Sequence, residues 1–483
     1  MLALRYDDSM QLHQTGALVN QAPVPAAAGH IARPAPSRAA AARHAARKSL
    51  WILGMRVLVP AASMILMVTQ TQNFIGNSVA DALRWSVLIA IISMIVLRPR
   101  GEVHLRKPGL TDALFAAFFA LAFTSMVYST VPPLTMGRAI SAVLLYAAVF
   151  WAVWFYADVV GGTRVIDGLL TAVSLMFIAS LAAGFMTPES WLTGRFRGVF
   201  VNPNAIGMLV ILFLPAAVAK MIRTKRPTSL LLVLVMIAAV ILSGSRNGVV
   251  TASIGLVFML YRIRAWKFGL LTVAVATIAL LVMPMETEPS SLSKNTAVEH
   301  LLSIEKLENG GGRFEAWQTA VPIIREKLFF GHGFGTEELI FRGMKFRVHR
   351  GDYIHNSYLG LSYQLGVAGA AIAFIPLFWI FFSRLRRRAN PQTAAYEAIL
   401  LGGLLASLFE SWIYSAGNAF AFPFWISFML LLRVTKGATD GAEMVPVKRS
   451  RSKRPVYWQP VPSAPSLPRN SVRRFEPPDM LNR

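Results

Sequence analysis

The sequence contains no cysteine. Disulfides, thiolate metal sites and cysteine nucleophiles are therefore excluded, and any segment outside a membrane must fold without covalent staples. Charge is also scarce: 15% of the residues are charged, where a soluble domain carries about 25%. The glycine-lysine loop of an ATP site, a GxGxxG fingerprint, an HExxH zinc motif and an Asp-x-Asp pair for a metal-bound sugar nucleotide are all missing. Met1–Lys48 holds no apolar run of the roughly 7–15 residues that a cleavable signal needs.

Apolar side chains are abundant. They make up 55% of the 483 residues, and the mean hydropathy is +0.51. Lipid is the solvent such a chain expects. The net charge of +24 does not point to nucleic acid, because the basic residues sit in the tails and in short loops between apolar runs, as membrane topology requires.

Runs near the ~20 residues of a membrane span occur at 51–69, 82–98, 110–128, 135–157, 165–186, 204–221, 229–243, 247–261, 267–285, 356–382, 394–415 and 417–433. The expected fold is all-α and polytopic, with about twelve transmembrane helices. The expected organisation is a disordered basic cytoplasmic arm (1–50), spans one to nine (51–285), a long periplasmic loop with short helices (286–355), spans ten to twelve (356–433) and a disordered basic, Pro-rich cytoplasmic tail (434–483). With the N-terminus inside, the inner loops hold clusters such as Lys220, Arg223, Lys225 and Arg226, or Arg384, Arg386, Arg387 and Arg388. The short outer loops hold only Arg138, Arg195, Arg197 and Arg246. That asymmetry is the one cytoplasmic loops show. In the long loop, Phe314, Trp317, Val321, Ile324 and Leu328 recur at helical spacing and predict one apolar helix face, kinked at Pro322.

The few outer arginines need a reason to be there. Arg195 and Arg197 lie in "GRFRGVFVNPNAIG" (194–207), with Asn204 in the same motif; Arg246 lies in "SGSRNG" (243–248) and Arg313 in "GGGRFEAW" (310–317). Guanidinium groups clamp phosphate oxygens bidentately and stay charged. Taken singly, each also fits an arginine that snorkels to lipid phosphate or caps a helix end. His355 opens "HNSYLGLSYQLGVAG" (355–369), beside Asn356, and histidine is the side chain suited to proton exchange near neutral pH. A helix-end histidine without catalytic duty fits the same place. His332 and His349 are weaker rivals. Glu410, read as an intramembrane acid near the outer end of its span, suits a sugar hydroxyl or a partner arginine. "GHGFG" (331–335) predicts a turn.

These four motifs, in this order around a long outer loop, resemble the O-antigen ligase / O-antigen polymerase family, which includes exopolysaccharide repeat-unit polymerases. The resemblance is carried by residues 190–370. It implies a bacterial inner-membrane glycosyltransferase that works at the periplasmic face. A saccharide passes from undecaprenyl pyrophosphate to a sugar hydroxyl with inversion, and neither ATP, metal nor cofactor is needed. By resemblance His355 is the base and Arg313 its catalytic companion. Arg195 or Arg197, Arg246, Asn204, Asn356 and Glu410 surround pyrophosphate and saccharide. The implied partners are the lipid-linked saccharide, a glycan or lipid A–core acceptor, the bilayer and other polysaccharide-assembly proteins. Ligase and polymerase both stay open, with a slight lean to the broad ligase-family name because the short motifs are common to both. The rival class is a transporter or flippase of lipid-linked glycans, which would place its site near the midplane between internal repeats.

Overall fold

A computed structural model describes residues 38–71, 77–98, 106–265, 312–344 and 353–437. The expected span at 267–285 and most of both expected tails lie outside the described residues. The chain up to Leu50 forms one unit, of which the first turns of α1 are described; Trp51 onward forms the other.

Among the described residues the protein is almost wholly helical. The helices are α1 (Arg38–Val68), α2 (Asn77–Val96), α3 (Leu110–Thr124), α4 (Pro132–Ala147), α5 (Trp154–Val160), α6 (Gly162–Met186), α7 (Asn204–Thr224), α8 (Pro227–Leu242) and α9 (Arg246–Arg262). They continue with α10 (Arg313–Glu326), α11 (Ser357–Leu385), α12 (Pro391–Ala406) and α13 (Ala421–Thr435). A π-helical stretch, Ala148–Val153, joins α4 to α5. Among the described residues, seven helical segments are long and apolar enough to cross a membrane by length and composition, and α8 and α13 are shorter apolar helices. The chain is an all-α polytopic membrane protein. The one sheet among the described residues is a hairpin of β1 (Trp191–Leu192) and β2 (Arg195–Phe196).

Two boundaries differ from the sequence expectation. Helix α1 begins at Arg38 rather than near 51, because "RAAAARHAARK" is rich in the best helix formers. The span expected at 394–415 ends at Ala406, and 407–420 is irregular. The start of α11 takes up the backbone there: Ser357 N–H donates to Ser407 C=O at 2.7 Å and Ser357 Oγ to Glu410 C=O at 2.7 Å. Non-helical backbone near a membrane is tolerated when protein satisfies it in this way.

Helix α7 is the centre of the second unit. Ala205 to Ala219 are all buried, as a helix apolar on every face must be. It packs on α8, α9 and α12. Where α7 meets α9, Gly207 faces Gly248 so closely that a Cβ on Gly248 would lie 2.5 Å from Gly207 Cα. The crossing allows no side chain, and it brings the first turn of α9 against the first turn of α7.

Helix α10 buries Ala316, Ala320 and Ile324, while Phe314 and Leu328 are exposed. The predicted face is thus displaced by a partial turn. Small residues pack against the rest of the protein, and the larger aromatic sits outside. The helix runs on through Pro322 to Glu326.

Candidate functional site

The starts of α7, α9, α11 and α13 and the ends of α8 and α12 share one end of the helix array. Each element contributes there because its apolar run stops at a polar motif. The hairpin before α7 turns through Thr193 and Gly194, both with positive φ (48° and 74°), as a two-residue hairpin turn requires. This turn directs Arg195 inward. Its Nε donates to Ser243 C=O at 2.8 Å, and its Nη2 to Asn204 Oδ1 at 2.9 Å.

From Asn204 the network continues. Asn204 Nδ2 donates to Glu410 Oε1 at 3.5 Å, and Arg313 Nη2 reaches the same oxygen at 2.8 Å. Arg313 Nε also donates to Phe409 C=O at 2.9 Å. On the other carboxylate oxygen, His355 Nδ1 lies 3.4 Å from Glu410 Oε2. Five of the sequence-predicted residues, Arg195, Asn204, Arg313, His355 and Glu410, therefore form one connected set around a single carboxylate. The irregular stretch after α12 is what lets Glu410 reach them all.

Charge agrees with this geometry. Burial and then the nearby positive charges of Arg246 and Arg313 pull Arg195 down to about 10. Glu410 is opposed by its own burial. Its hydrogen bond with His355 and the charge of Arg313 outweigh that burial and hold the carboxyl below its ordinary value.

The remaining predicted residues have other partners. Arg197 turns away from the cluster and donates to the carbonyls of Glu189 (2.6 Å) and Val201 (3.2 Å). The Asn356 carboxamide oxygen caps α11, accepting from the backbone of Tyr358 (3.0 Å) and Leu359 (3.1 Å), the ordinary task of asparagine at that position. His332 stacks on Tyr363 at 4.5 Å with Nε2 3.2 Å from Ile323 C=O, in the turn that positive-φ Gly331, Gly333 and Gly335 make. Burial lowers its pKa, which disfavours the charged form. His349 lies outside the described residues.

A polar cavity of about 350 Å³ opens beside His355 and Glu410 and is also lined by Arg84, Arg138, Glu338 and Tyr353. Beneath His355 lies Glu337, 3% exposed. It accepts from Ile354 N–H at 3.0 Å, from Ser411 Oγ at 2.6 Å and from Tyr414 Oη. Burial raises its pKa despite those donors. Sequence reading missed Glu337, Arg84 and Tyr414. Nothing in "GTEEL" separates a buried acid from its half-buried neighbour, and the partners lie 17, 74 and 77 residues away.

The comparisons with known proteins fall on this site. Residues 231–374 match the family model described as O-antigen ligase. No curated protein matches the chain. The matched segment holds Arg246, Arg313 and His355; Arg195, Asn204 and Glu410 lie outside it and join through the fold. Residues 231–374 of this polytopic membrane protein thus resemble an O-antigen ligase, a likeness that supports a glycosyltransferase of the ligase or polymerase type.

Proposed function

We propose that the protein transfers a saccharide from undecaprenyl pyrophosphate to a sugar hydroxyl, at the periplasmic face of a bacterial inner membrane, with both termini cytoplasmic. The observation that carries this reading is the meeting of Arg313, His355 and, through Asn204, Arg195 on the Glu410 carboxylate, beside a polar cavity that His355 and Glu410 line. The basic clusters at the opposite end of the helices support the orientation.

The arginines hold the pyrophosphate, and the cavity admits the acceptor. With Nδ1 held toward Glu410, His355 takes the acceptor proton on Nε2. The acceptor oxygen attacks the anomeric carbon, and the carbon–oxygen bond to pyrophosphate breaks on the far side, which inverts the centre. The bonding pair leaves with the pyrophosphate, where the preorganised guanidinium groups meet the growing negative charge. Glu410 keeps the imidazole oriented and balances the imidazolium, as the acid of a hydrolase triad does.

The first test is on a deletion strain, by measuring the chain length of undecaprenyl-linked glycans beside the lipopolysaccharide. Long chains on the carrier with lipopolysaccharide stopped at the core mark a ligase. Single repeat units on the carrier mark a polymerase. No change in either overturns the reading. Purified protein that moves lipid-linked glycan between leaflets and forms no glycosidic bond marks a transporter instead.

A further inference from the structure

At the end of the helices opposite His355, the last turns of α9 and α11 enclose a second cavity, of about 630 Å³, whose lining among the described residues includes Arg262, Arg264, Arg386, Arg387 and Arg388 and no acidic residue. We propose that this cavity binds the phosphodiester headgroup of an anionic membrane lipid.

The frame of the cavity is rigid. Glu397 of α12 is fully buried and bound by two arginines, Arg262 Nε at 2.7 Å and Arg384 Nε at 3.0 Å. Arg262 also donates to the carbonyls of Arg384 (3.0 Å), Leu385 (3.2 Å) and Arg387 (2.6 Å). It satisfies the last carbonyls of α11, which a helix end leaves without partners. Arg387 Nη1 donates to Thr435 C=O at 2.9 Å. One buried carboxylate is thus used up in holding the frame together.

The three other guanidinium groups are left over. Arg264, Arg386 and Arg388 are exposed, and no hydrogen bond or ion pair to their guanidinium groups is made among the described residues. Like charges gathered without an acid repel one another, and an anion placed among them relieves that repulsion. Phosphate is the oxyanion that such planar forks fit best.

The surroundings point to a lipid as the source of that phosphate. Helices α9 and α11 touch through Phe258 and Phe381, whose ring centroids lie 5.6 Å apart. Exposed apolar residues run along each helix toward the arginines. On α9 they are Val250, Ile254, Val257 and Tyr261; on α11 they are Ile375, Phe378, Phe382 and Leu385. Both series step by three or four residues, so each is one stripe of a helix face. A headgroup seated on the arginines has its acyl chains directed along these stripes. A soluble phosphate would have no use for them. Basic pockets between membrane helices are favoured by anionic headgroups, most of all on the side where basic loops gather.

The test is native mass spectrometry of the purified full chain, titrated with cardiolipin, phosphatidylglycerol, phosphatidylethanolamine or inorganic pyrophosphate. The triple variant R264Q/R386Q/R388Q is compared with wild type, and single R264Q and R388Q variants are kept in case the triple fails to fold. The expected result is retention of the anionic lipids, at least tenfold above phosphatidylethanolamine. That retention is lost in the triple variant and weakened in each single one. Equal retention of anionic lipid by wild type and variants overturns the proposal. Displacement of bound lipid by pyrophosphate also overturns it, since the occupant is then a soluble anion.

Discussion

Glu337 accepts the backbone N–H of Ile354 at 3.0 Å, and through Ser411 it also holds the backbone of Asn356: Asn356 N–H donates to Ser411 Oγ at 3.0 Å, and Ser411 Oγ to Glu337 at 2.6 Å. His355 is therefore pinned on both sides by one buried carboxyl. It needs to be, because its φ of 54° lies in the left-handed region, where a non-glycine residue costs on the order of 1–3 kcal/mol. Glu337→Ala leaves buried donors unpaired at about 1–3 kcal/mol each, so both the melting temperature and the transfer rate should fall. Glu337→Gln keeps an acceptor and should lose much less of either.

The same residue sets a pH dependence. Burial raises the Glu337 pKa, so the folded state holds this proton more tightly than the unfolded one. The contribution is fully present below the ordinary carboxyl range and is lost as pH rises through the raised value. Thermal melts across that window should show this slope in wild type and lack it in Glu337→Gln.

Arg313 and His355 meet on Glu410 and should be lost separately. On the proposed mechanism, Arg313→Ala removes a charge that faces the departing pyrophosphate and should slow transfer by about 10²–10³. Arg313→Lys should not restore it, since an ammonium lacks the fork. His355→Ala should cost about 10²–10⁴, as loss of a general base does. Both variants should still insert in the membrane and melt near wild type. Full activity in either would remove that residue from the mechanism.

Arg195 and Arg197 are two residues apart, yet only Arg195 joins the cluster. Arg197→Ala should change the rate by less than about threefold, while Arg195→Ala should resemble Arg313→Ala. Arg195→Lys gives a signed test. The site draws an arginine down to about 10, and a lysine starts lower, near 10.4. On the alkaline side the variant should therefore fade as pH rises, where wild type stays level. A pH profile of transfer distinguishes the two.

At the crossing of α7 and α9, Gly248→Ala drives a methyl group into the Gly207 backbone. Overpacking of this kind costs about 1–3 kcal/mol. The variant should melt lower and also lose activity, because the crossing sets the first turn of α9 against that of α7, which carries Asn204. A variant as stable and active as wild type would mean that the helices can separate here without consequence.

Much of the architecture was legible in the sequence, because span length and hydropathy depend on local composition. The motif residues were legible as a set for a related reason: polar groups at the ends of apolar helices stand out. What escaped was whatever depends on backbone direction. Arg195 and Arg197 look alike until the Thr193–Gly194 turn aims one inward. Glu410 reads as the last turn of a span until α11 takes over its backbone. Asn356 reads as a ligand contact although its oxygen caps a helix. Glu337 was invisible because its partners come from distant parts of the chain.

One break in α11 has a consequence for motion. Gly366, inside that helix, has φ 67° and ψ −178°, so the helical ladder is interrupted there. The segment after α10 repairs it: Val367 N–H donates to Leu328 C=O at 2.8 Å, while His332 and Gly333 N–H donate to Tyr363 and Gln364 C=O, both at 2.9 Å. A segment that completes another helix's backbone cannot swing open as a detached lid, since each of these bonds would be exchanged for nothing inside an apolar surround. On the proposed function, sugars that reach His355 have to go around this segment. In deuterium exchange, the amides of His332, Gly333 and Val367 should be protected together and released together.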